Sequence, residues 1–164
     1  MSNVEKEYCL KVSDLKPFFN YCEDNKYGLI ETIEQVRTIY KKDDNTMLRL
    51  TINKSNNKVI KELDFKQDNL SDNPFIERKE SLPITYEDDE AVNSIIDFLN
   101  YKKSVELVRK RHVYEKNNIK FEIDEYISPE VSLVVSFEGE KDIIDAIYQE
   151  LKEKYSEFFI IKKD

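Results

Sequence analysis

Cationic side chains recur at alternate positions in several segments of this 164-residue chain. Six of them, spread over five segments, are Lys11, Arg49, Lys66, Arg78, Arg109 and Arg111. Arginine offers a planar fork of donors that matches phosphate oxygens, and lysine adds a mobile point charge. If these side chains share one enclosed surface, that surface suits a polyphosphate.

Carboxylates occupy the same kind of alternating position. They are Glu5, Glu7, Glu80, Asp124 and Glu138. Hard divalent cations such as Mg²⁺ prefer oxygen ligands and are commonly shared with substrate phosphates. Together with the cations, these carboxylates describe a site for a metal ion and a triphosphate.

The charged residues lie in segments where apolar and polar residues alternate with a period of two. Such alternation predicts strands with one face on a core and the other face polar. The segments are 4–12, 47–52, 59–66, 76–82, 105–113, 119–126 and 131–138.

Helical spacing is found in three places. A short helix is predicted to begin near Ser13 or Asp14, and a second to be capped by Thr85 ahead of an acidic first turn. A third is predicted over Lys141–Tyr155. The chain is therefore predicted to be an α+β protein, with a largely antiparallel sheet and about three flanking helices.

The charged strand faces have two explanations. They could form the wet face of an open sheet, with ion pairs between neighbouring strands. They could instead line the lumen of a closed or nearly closed barrel. The alternation alone does not choose between these two structures.

Composition narrows the class of protein. A length of 164 residues predicts a single domain over 1–164, and 37% charged residues without a long apolar run predict no membrane partner. A net charge of −8 argues against binding to a nucleic-acid duplex. Two cysteines, one histidine and two glycines exclude a disulfide framework, a histidine-rich metal site and a glycine-rich phosphate loop. Because the first residues lack an apolar signal core, a cytoplasmic location is expected.

The order of the charged motifs resembles the CYTH superfamily, which groups class IV adenylyl cyclases with thiamine-triphosphatases and inorganic triphosphatases. The resemblance covers about residues 4–155. The family's Glu-x-Glu-x-Lys motif resembles Glu5-Lys6-Glu7-Tyr8-Cys9, and its Leu-Arg-x-Arg motif resembles Leu48-Arg49-Leu50-Thr51. Its Arg-x-Glu-x-Glu motif resembles Arg78-Lys79-Glu80-Ser81-Leu82, and its Lys-x-Arg motif resembles Arg109-Lys110-Arg111. Its Leu-Asp motif resembles Ile123-Asp124, and its Glu-x-Glu-Gly motif resembles Ser136-Phe137-Glu138-Gly139.

The resemblance implies a triphosphate tunnel, a closed β-barrel that acts on a triphosphate-containing small molecule with Mg²⁺ or Mn²⁺. It assigns the phosphate to Arg49, Lys66, Arg78, Arg109 and Arg111. It assigns the metal ion to Glu5, Glu7, Asp124 and Glu138, with Glu80 as an orienting residue. A homodimer is compatible with the resemblance to dimeric cyclases.

The chain departs from the motifs at Cys9, Thr51, Leu82 and Ser136. Lys11 lies two residues beyond Cys9 on the same strand face and is expected to act as the catalytic lysine in its place. Three functions stay open: hydrolysis of a triphosphate as the first hypothesis, cyclisation of ATP to cyclic AMP and pyrophosphate, and polyphosphate or nucleotide binding without turnover.

Overall fold

The computed structural model describes residues 3–42, 45–69 and 73–160. Its elements follow in the order β1 (Asn3–Val12), α1 (Lys16–Asp24), β2 (Gly28–Lys41), β3 (Thr46–Ser55), β4 (Lys58–Gln67), β5 (Phe75–Glu80), β6 (Ile84–Thr85), α2 (Asp89–Phe98), β7 (Lys102–Lys116), β8 (Ile119–Ser128), β9 (Ser132–Glu138) and α3 (Lys141–Tyr155). A 3-10 turn, Ser156–Phe158, follows α3. No helix within these ranges is long and apolar enough to cross a lipid bilayer.

Eight of the strands close into an antiparallel barrel. Their order around the barrel is β3, β2, β7, β8, β9, β1, β5 and β4, and β4 pairs back onto β3. The two-residue strand β6 extends the edge of β4 beyond β5. The predicted closed barrel with three helices is thus confirmed, and the open sheet is not formed.

Two tight hairpins help to fix the register of the barrel. Asn56 and Asn57 join β3 to β4, and Asn117 and Asn118 join β7 to β8, all with positive φ angles between 50° and 65°. Asparagine tolerates this left-handed region, and two such residues form the turn whose twist matches that of the flanking strands.

The apolar core lies outside the barrel wall, beneath the helices. Helices α1 and α3 cover a cluster that includes Phe18, Phe121, Val135 and Leu151, all fully buried. Helix α2 covers a smaller cluster on β3 formed by Leu48, Leu50, Val92 and Ile96. Because side chains alternate along a strand, this outward apolar packing leaves the inner face to the polar residues.

Two elements differ from the prediction. Strand β2 was not among the predicted segments, because a register shift between Leu29 and Glu31 interrupts its alternation. Thr85 does not cap α2 but lies in β6, and the cap is Asp88, whose side chain accepts a hydrogen bond from the backbone N–H of Ala91 at 3.0 Å. Helix α3 has the predicted bounds.

Candidate functional site

All five arginines of the chain, Arg37, Arg49, Arg78, Arg109 and Arg111, lie on the inner face of the barrel. They come from β2, β3, β5 and β7, and Lys66 joins them from β4. The structure therefore brings together the five residues that the sequence assigns to phosphate, and adds Arg37. Lysines supply the chain's other cationic side chains.

Three of the lumen cations are paired with inward-facing carboxylates. Arg49 Nη2 lies 2.5 Å from Asp64 Oδ2 on the adjacent strand β4. Lys66 Nζ lies 2.6 Å from Glu5 Oε1, and Arg78 Nη2 lies 2.7 Å from Glu7 Oε1. Each of these pairs neutralises one positive charge on the part of the lumen formed by β3, β4, β5 and β1.

Glu80, the predicted orienting residue, lies between two of these cations. Its Oε2 atom is 3.5 Å from Lys66 Nζ and 4.0 Å from Arg49 Nη2. A carboxylate in that position restrains both side chains.

Asp124 is almost fully buried and contacts two arginines. Its two oxygens accept hydrogen bonds from Arg111 at 2.8 and 2.9 Å, and Arg109 Nη1 lies 3.8 Å away. Arg111 Nη1 also donates to Glu122 Oε2 at 2.6 Å. Although burial alone would raise the pKa of Glu122, Arg111 and then Lys120 hold that pKa at about 2.

Arg109 has fewer partners than Arg111. Its Nε donates to Gln35 Oε1 at 2.6 Å and its Nη1 donates to the Tyr126 hydroxyl, whereas its buried Nη2 has no hydrogen-bond partner among the described residues. Burial, and then the charge of Arg111, lower the pKa of Arg109. A buried donor without a partner is costly and favours an incoming acceptor.

Arg37 is a cationic lumen residue that the sequence analysis did not find, and the carboxylates Asp64 and Glu122 were also missed. Arg37 Nε donates to Thr51 Oγ1 at 3.0 Å, and Arg37 makes no ion pair with any residue in the described ranges. The Arg37 side chain is half-buried. Beyond the register shift near Leu29, Ile33, Gln35 and Arg37 occupy every second position of β2 and share one face, which is a signal that could have identified Arg37.

Burial, followed by the charges of Arg49, Arg109 and Arg111, holds the pKa of Arg37 well below its usual value. Together, Arg37, Arg49, Arg109 and Arg111 form an arginine wall on three consecutive strands, β3, β2 and β7. The wall has a surplus of positive charge at Arg37.

The opposite side of the lumen carries an acidic wall formed by Glu5 and Glu7 of β1 and Glu138 of β9. Glu7 is the register partner of Glu138, and the side chains of Glu5 and Glu138 share a hydrogen bond. Burial and this bond raise the pKa of Glu138 to about 7, and burial followed by the charge of Glu5 raises the pKa of Glu7. For Glu5 the pull of Lys66 outweighs burial, and its pKa is lowered.

These carboxylates bear on the predicted metal site. Three of the four predicted ligands form the acidic wall, whereas Asp124 is held by Arg111. Within the part of the chain that the structure describes, no three carboxylate, thiol or imidazole groups meet in an arrangement that would hold a metal ion.

Two of the departures from the family motifs face each other. Cys9 and Ser136 are register partners on β1 and β9, so their side chains lie next to each other on the same face. Burial raises the pKa of the Cys9 thiol, so the thiol is not an activated nucleophile. Lys11, the predicted catalytic lysine, lies beyond them on β1 and is exposed.

The topology sets the two walls opposite each other. In the order of the eight strands, β2 and β1 are separated by three strands in either direction. At one end the lumen opens into a cavity of about 730 Å³, whose lining includes Glu5, Glu80, Lys120 and Glu138. The lining of this cavity includes residues of the acidic wall but none of the four arginines of the arginine wall.

No family model and no curated protein sequence matches the chain. Among solved structures, a proposed adenylate cyclase of Bacillus halodurans is 15% identical, with a TM-score of 0.66 over 99% of this chain and 95% of that one. A Hippeastrum protein with a dominant triphosphatase activity is 12% identical, with a TM-score of 0.64 over 92% and 87% of the two chains. The chain has the triphosphate tunnel fold.

The resemblance to the CYTH superfamily is thereby confirmed at the level of the fold. The same tunnel fold occurs in a chain of the Schizosaccharomyces pombe Mediator head module, which is 12% identical with a TM-score of 0.66 over 96% and 97% of the two chains. A fold hosts more than one function, so function has to be argued from the side chains of this tunnel.

Proposed function

We propose that the tunnel binds the triphosphate group of a small molecule and hydrolyses it with Mg²⁺ or Mn²⁺. The observation that supports this best is the surplus of cationic donors on the arginine wall. Arg37 has no carboxylate partner in the described ranges, and Arg109 Nη2 is buried without an acceptor. Phosphate oxygens would supply both the missing charge and the missing acceptor.

The acidic wall is the proposed place for the metal ion. Glu5, Glu7 and Glu138 offer the hard oxygen donors that Mg²⁺ and Mn²⁺ bind, and a cation there would replace the proton that Glu5 and Glu138 share. Asp124 joins this set through the lone pairs that Arg111 leaves free. When bound, such an ion polarises phosphoryl oxygens and lowers the pKa of a bound water.

The chain's own side chains would position the phosphates. The arginine wall would hold the non-bridging oxygens of the triphosphate. Lys66, restrained by Glu5 and Glu80, would contact the triphosphate from β4. Fixed cations in an enclosed lumen would stabilise the charge that develops during phosphoryl transfer. Lys11 is proposed to contact the end of the triphosphate that extends past Cys9 along β1.

Binding without turnover is the second candidate. It is favoured by the Cys9–Ser136 contact, which stands where the family motifs have a lysine and a glutamate, and by the lack of a three-ligand metal geometry in the described residues. In that case the arginine wall would hold the same ligand and release it intact.

Product analysis separates these functions. Purified protein is incubated with tripolyphosphate or with ATP, with Mg²⁺ or with a chelator, and orthophosphate and pyrophosphate are measured separately. Metal-dependent orthophosphate supports hydrolysis, and pyrophosphate with cyclic AMP from ATP would show a cyclase instead. Binding of tripolyphosphate without either product would favour the binding module.

Glu138→Gln tests the metal assignment. It keeps the size and the hydrogen-bonding capacity of the side chain but removes its charge. Mn²⁺ affinity measured with tripolyphosphate present is expected to fall in this variant. An unchanged affinity would remove Glu138 from the metal site.

A further inference from the structure

Arg37 lies next to Thr51, the position at which the Leu-Arg-x-Arg pattern would have its second arginine. Leu48-Arg49-Leu50-Thr51 keeps the first arginine of the Leu-Arg-x-Arg pattern and has Thr51 at the second. Strand β2 pairs with β3 so that Arg37 is the register partner of Thr51, and Arg37 Nε donates to Thr51 Oγ1 at 3.0 Å. A guanidinium is therefore present at this point of the wall, but it comes from the neighbouring strand.

The contacts of Arg37 differ from those of the other lumen arginines. Arg49, Arg78 and Arg111 each lie within 2.8 Å of a carboxylate oxygen, and Arg109 lies 3.8 Å from one. Arg37 makes no such pair with any described residue, and its bond to Thr51 uses only Nε. No hydrogen bond from Nη1 or Nη2 to another described residue accompanies it.

We propose that Arg37 is a phosphate-binding residue of this tunnel, which replaces from β2 the guanidinium missing at Thr51, and that the Thr51 hydroxyl orients it. The inference rests on the proposed function, because it assigns a residue to the triphosphate site. Thr51 acts as a positioning residue, since its hydroxyl holds Nε and leaves the two terminal nitrogens free for oxygen atoms of the ligand.

The electrostatics of the wall agree with this assignment. A purely structural arginine at a half-buried position would be expected to have a carboxylate partner, because an unpaired charge in such a place is costly. Burial lowers the pKa of Arg37, and repulsion from Arg49, Arg109 and Arg111 lowers it further, while attraction to Asp64 offsets only part of this. An anion that binds between Arg37, Arg49 and Arg109 would relieve that repulsion.

The test compares tripolyphosphate affinity, measured by calorimetry, in five proteins. They are the wild type, Arg37→Gln, Thr51→Val, the exchange variant with both Arg37→Thr and Thr51→Arg, and Lys110→Gln. Lys110 is an exposed cation on β7 outside the lumen, so its replacement controls for the loss of one positive charge. Thermal unfolding of each variant without ligand verifies that it is folded.

Arg37→Gln is expected to weaken tripolyphosphate binding at least about tenfold, as for lost hydrogen bonds to a charged group. Thr51→Val is expected to weaken it less, and Lys110→Gln to leave it unchanged. The exchange variant is expected to recover most of the affinity, which a merely structural contact between β2 and β3 would not predict.

Three outcomes would overturn the inference. If the wild type binds tripolyphosphate and Arg37→Gln binds it equally well, Arg37 is not in the site and the proposed function is untouched. If Arg37→Gln binds weakly but the exchange variant gains nothing back, replacement across the two strands is wrong. If the wild type itself does not bind tripolyphosphate, the proposed function is wrong, and the assignment of Arg37 is wrong with it.

Discussion

At the scale of single residues, Arg111 is held between two carboxylates at once. It contacts Asp124 at 2.8 Å and Glu122 at 2.6 Å, and all three side chains are largely buried. Removing one partner from a buried pair leaves an uncompensated charge, which costs far more than the pair itself contributes.

Arg111→Ala is therefore expected to lower the free energy of unfolding by about 3–5 kcal/mol, measured by denaturant titration. Lys103→Ala is the matched control, since Lys103 pairs with Glu106 at 3.6 Å on the exposed surface. That pair is expected to contribute at most about 1 kcal/mol. Equal losses in the two variants would contradict the buried network.

Glu138 predicts a pH dependence of stability. Its pKa rises from 4.5 in the unfolded chain to about 7 in the fold, so the folded state binds the extra proton between these values. The stabilisation is complete below 4.5 and is lost as the pH rises through 7.

The free energy of unfolding is compared at about pH 5 and about pH 8 in the wild type and in Glu138→Gln. Glutamine cannot ionise, so the variant is expected to lose less stability over this interval than the wild type. Parallel curves for the two proteins would show that Glu138 does not carry the shared proton.

Alternation identified most of the lumen residues but not their partners. The period of two places Arg49, Lys66 and Arg78 on inner faces with no knowledge of the barrel. That Arg49 meets Asp64, or that Lys66 meets Glu5, depends on the register and closure of strands far apart in sequence. Arg37 was missed because it lies on the strand that was not predicted.

At the scale of elements, strands and helices were predicted with unequal success. The segments that became β1, β3, β4, β7, β8 and β9 alternate regularly, and α3 has a clear apolar stripe, so their patterns were sufficient. Strand β2 carries a bulge near its start, and polar and apolar residues occur on both of its faces. Helix α2 begins later than predicted because Asp88, rather than Thr85, has the capping geometry.

Asp88→Ala tests that cap. The Asp88 side chain accepts from the N–H of Ala91, and α2 covers the cluster of Leu48, Leu50, Val92 and Ile96. The variant is expected to lose about 0.5–2 kcal/mol of unfolding free energy, whereas Glu90→Ala, at an exposed position two residues later, should lose less. Equal effects of the two changes would contradict the assignment of the cap.

At the scale of the whole molecule, the chain separates its two kinds of cation. Every arginine lies inside the barrel, while lysines supply the cations of the outer surface in a protein of net charge −8. The interior is not simply basic, because carboxylates that include Glu7, Asp64, Glu122 and Asp124 lie against these arginines.

A ligand that binds only the folded state raises its stability. Tripolyphosphate is therefore expected to raise the midpoint of thermal unfolding, and sodium chloride at the same ionic strength serves as the control for screening. An equal shift in the two salts would indicate a general ionic effect and no tunnel site.

The most direct measurement of the central claim is a calorimetric titration of the wild-type protein with tripolyphosphate in the presence of Mg²⁺. The account predicts saturable binding of one tripolyphosphate per chain, and weaker binding when Arg109→Gln removes the guanidinium whose buried Nη2 has no hydrogen-bond partner among the described residues. Absence of saturable binding to the folded wild type, or an unchanged affinity in Arg109→Gln, would contradict it.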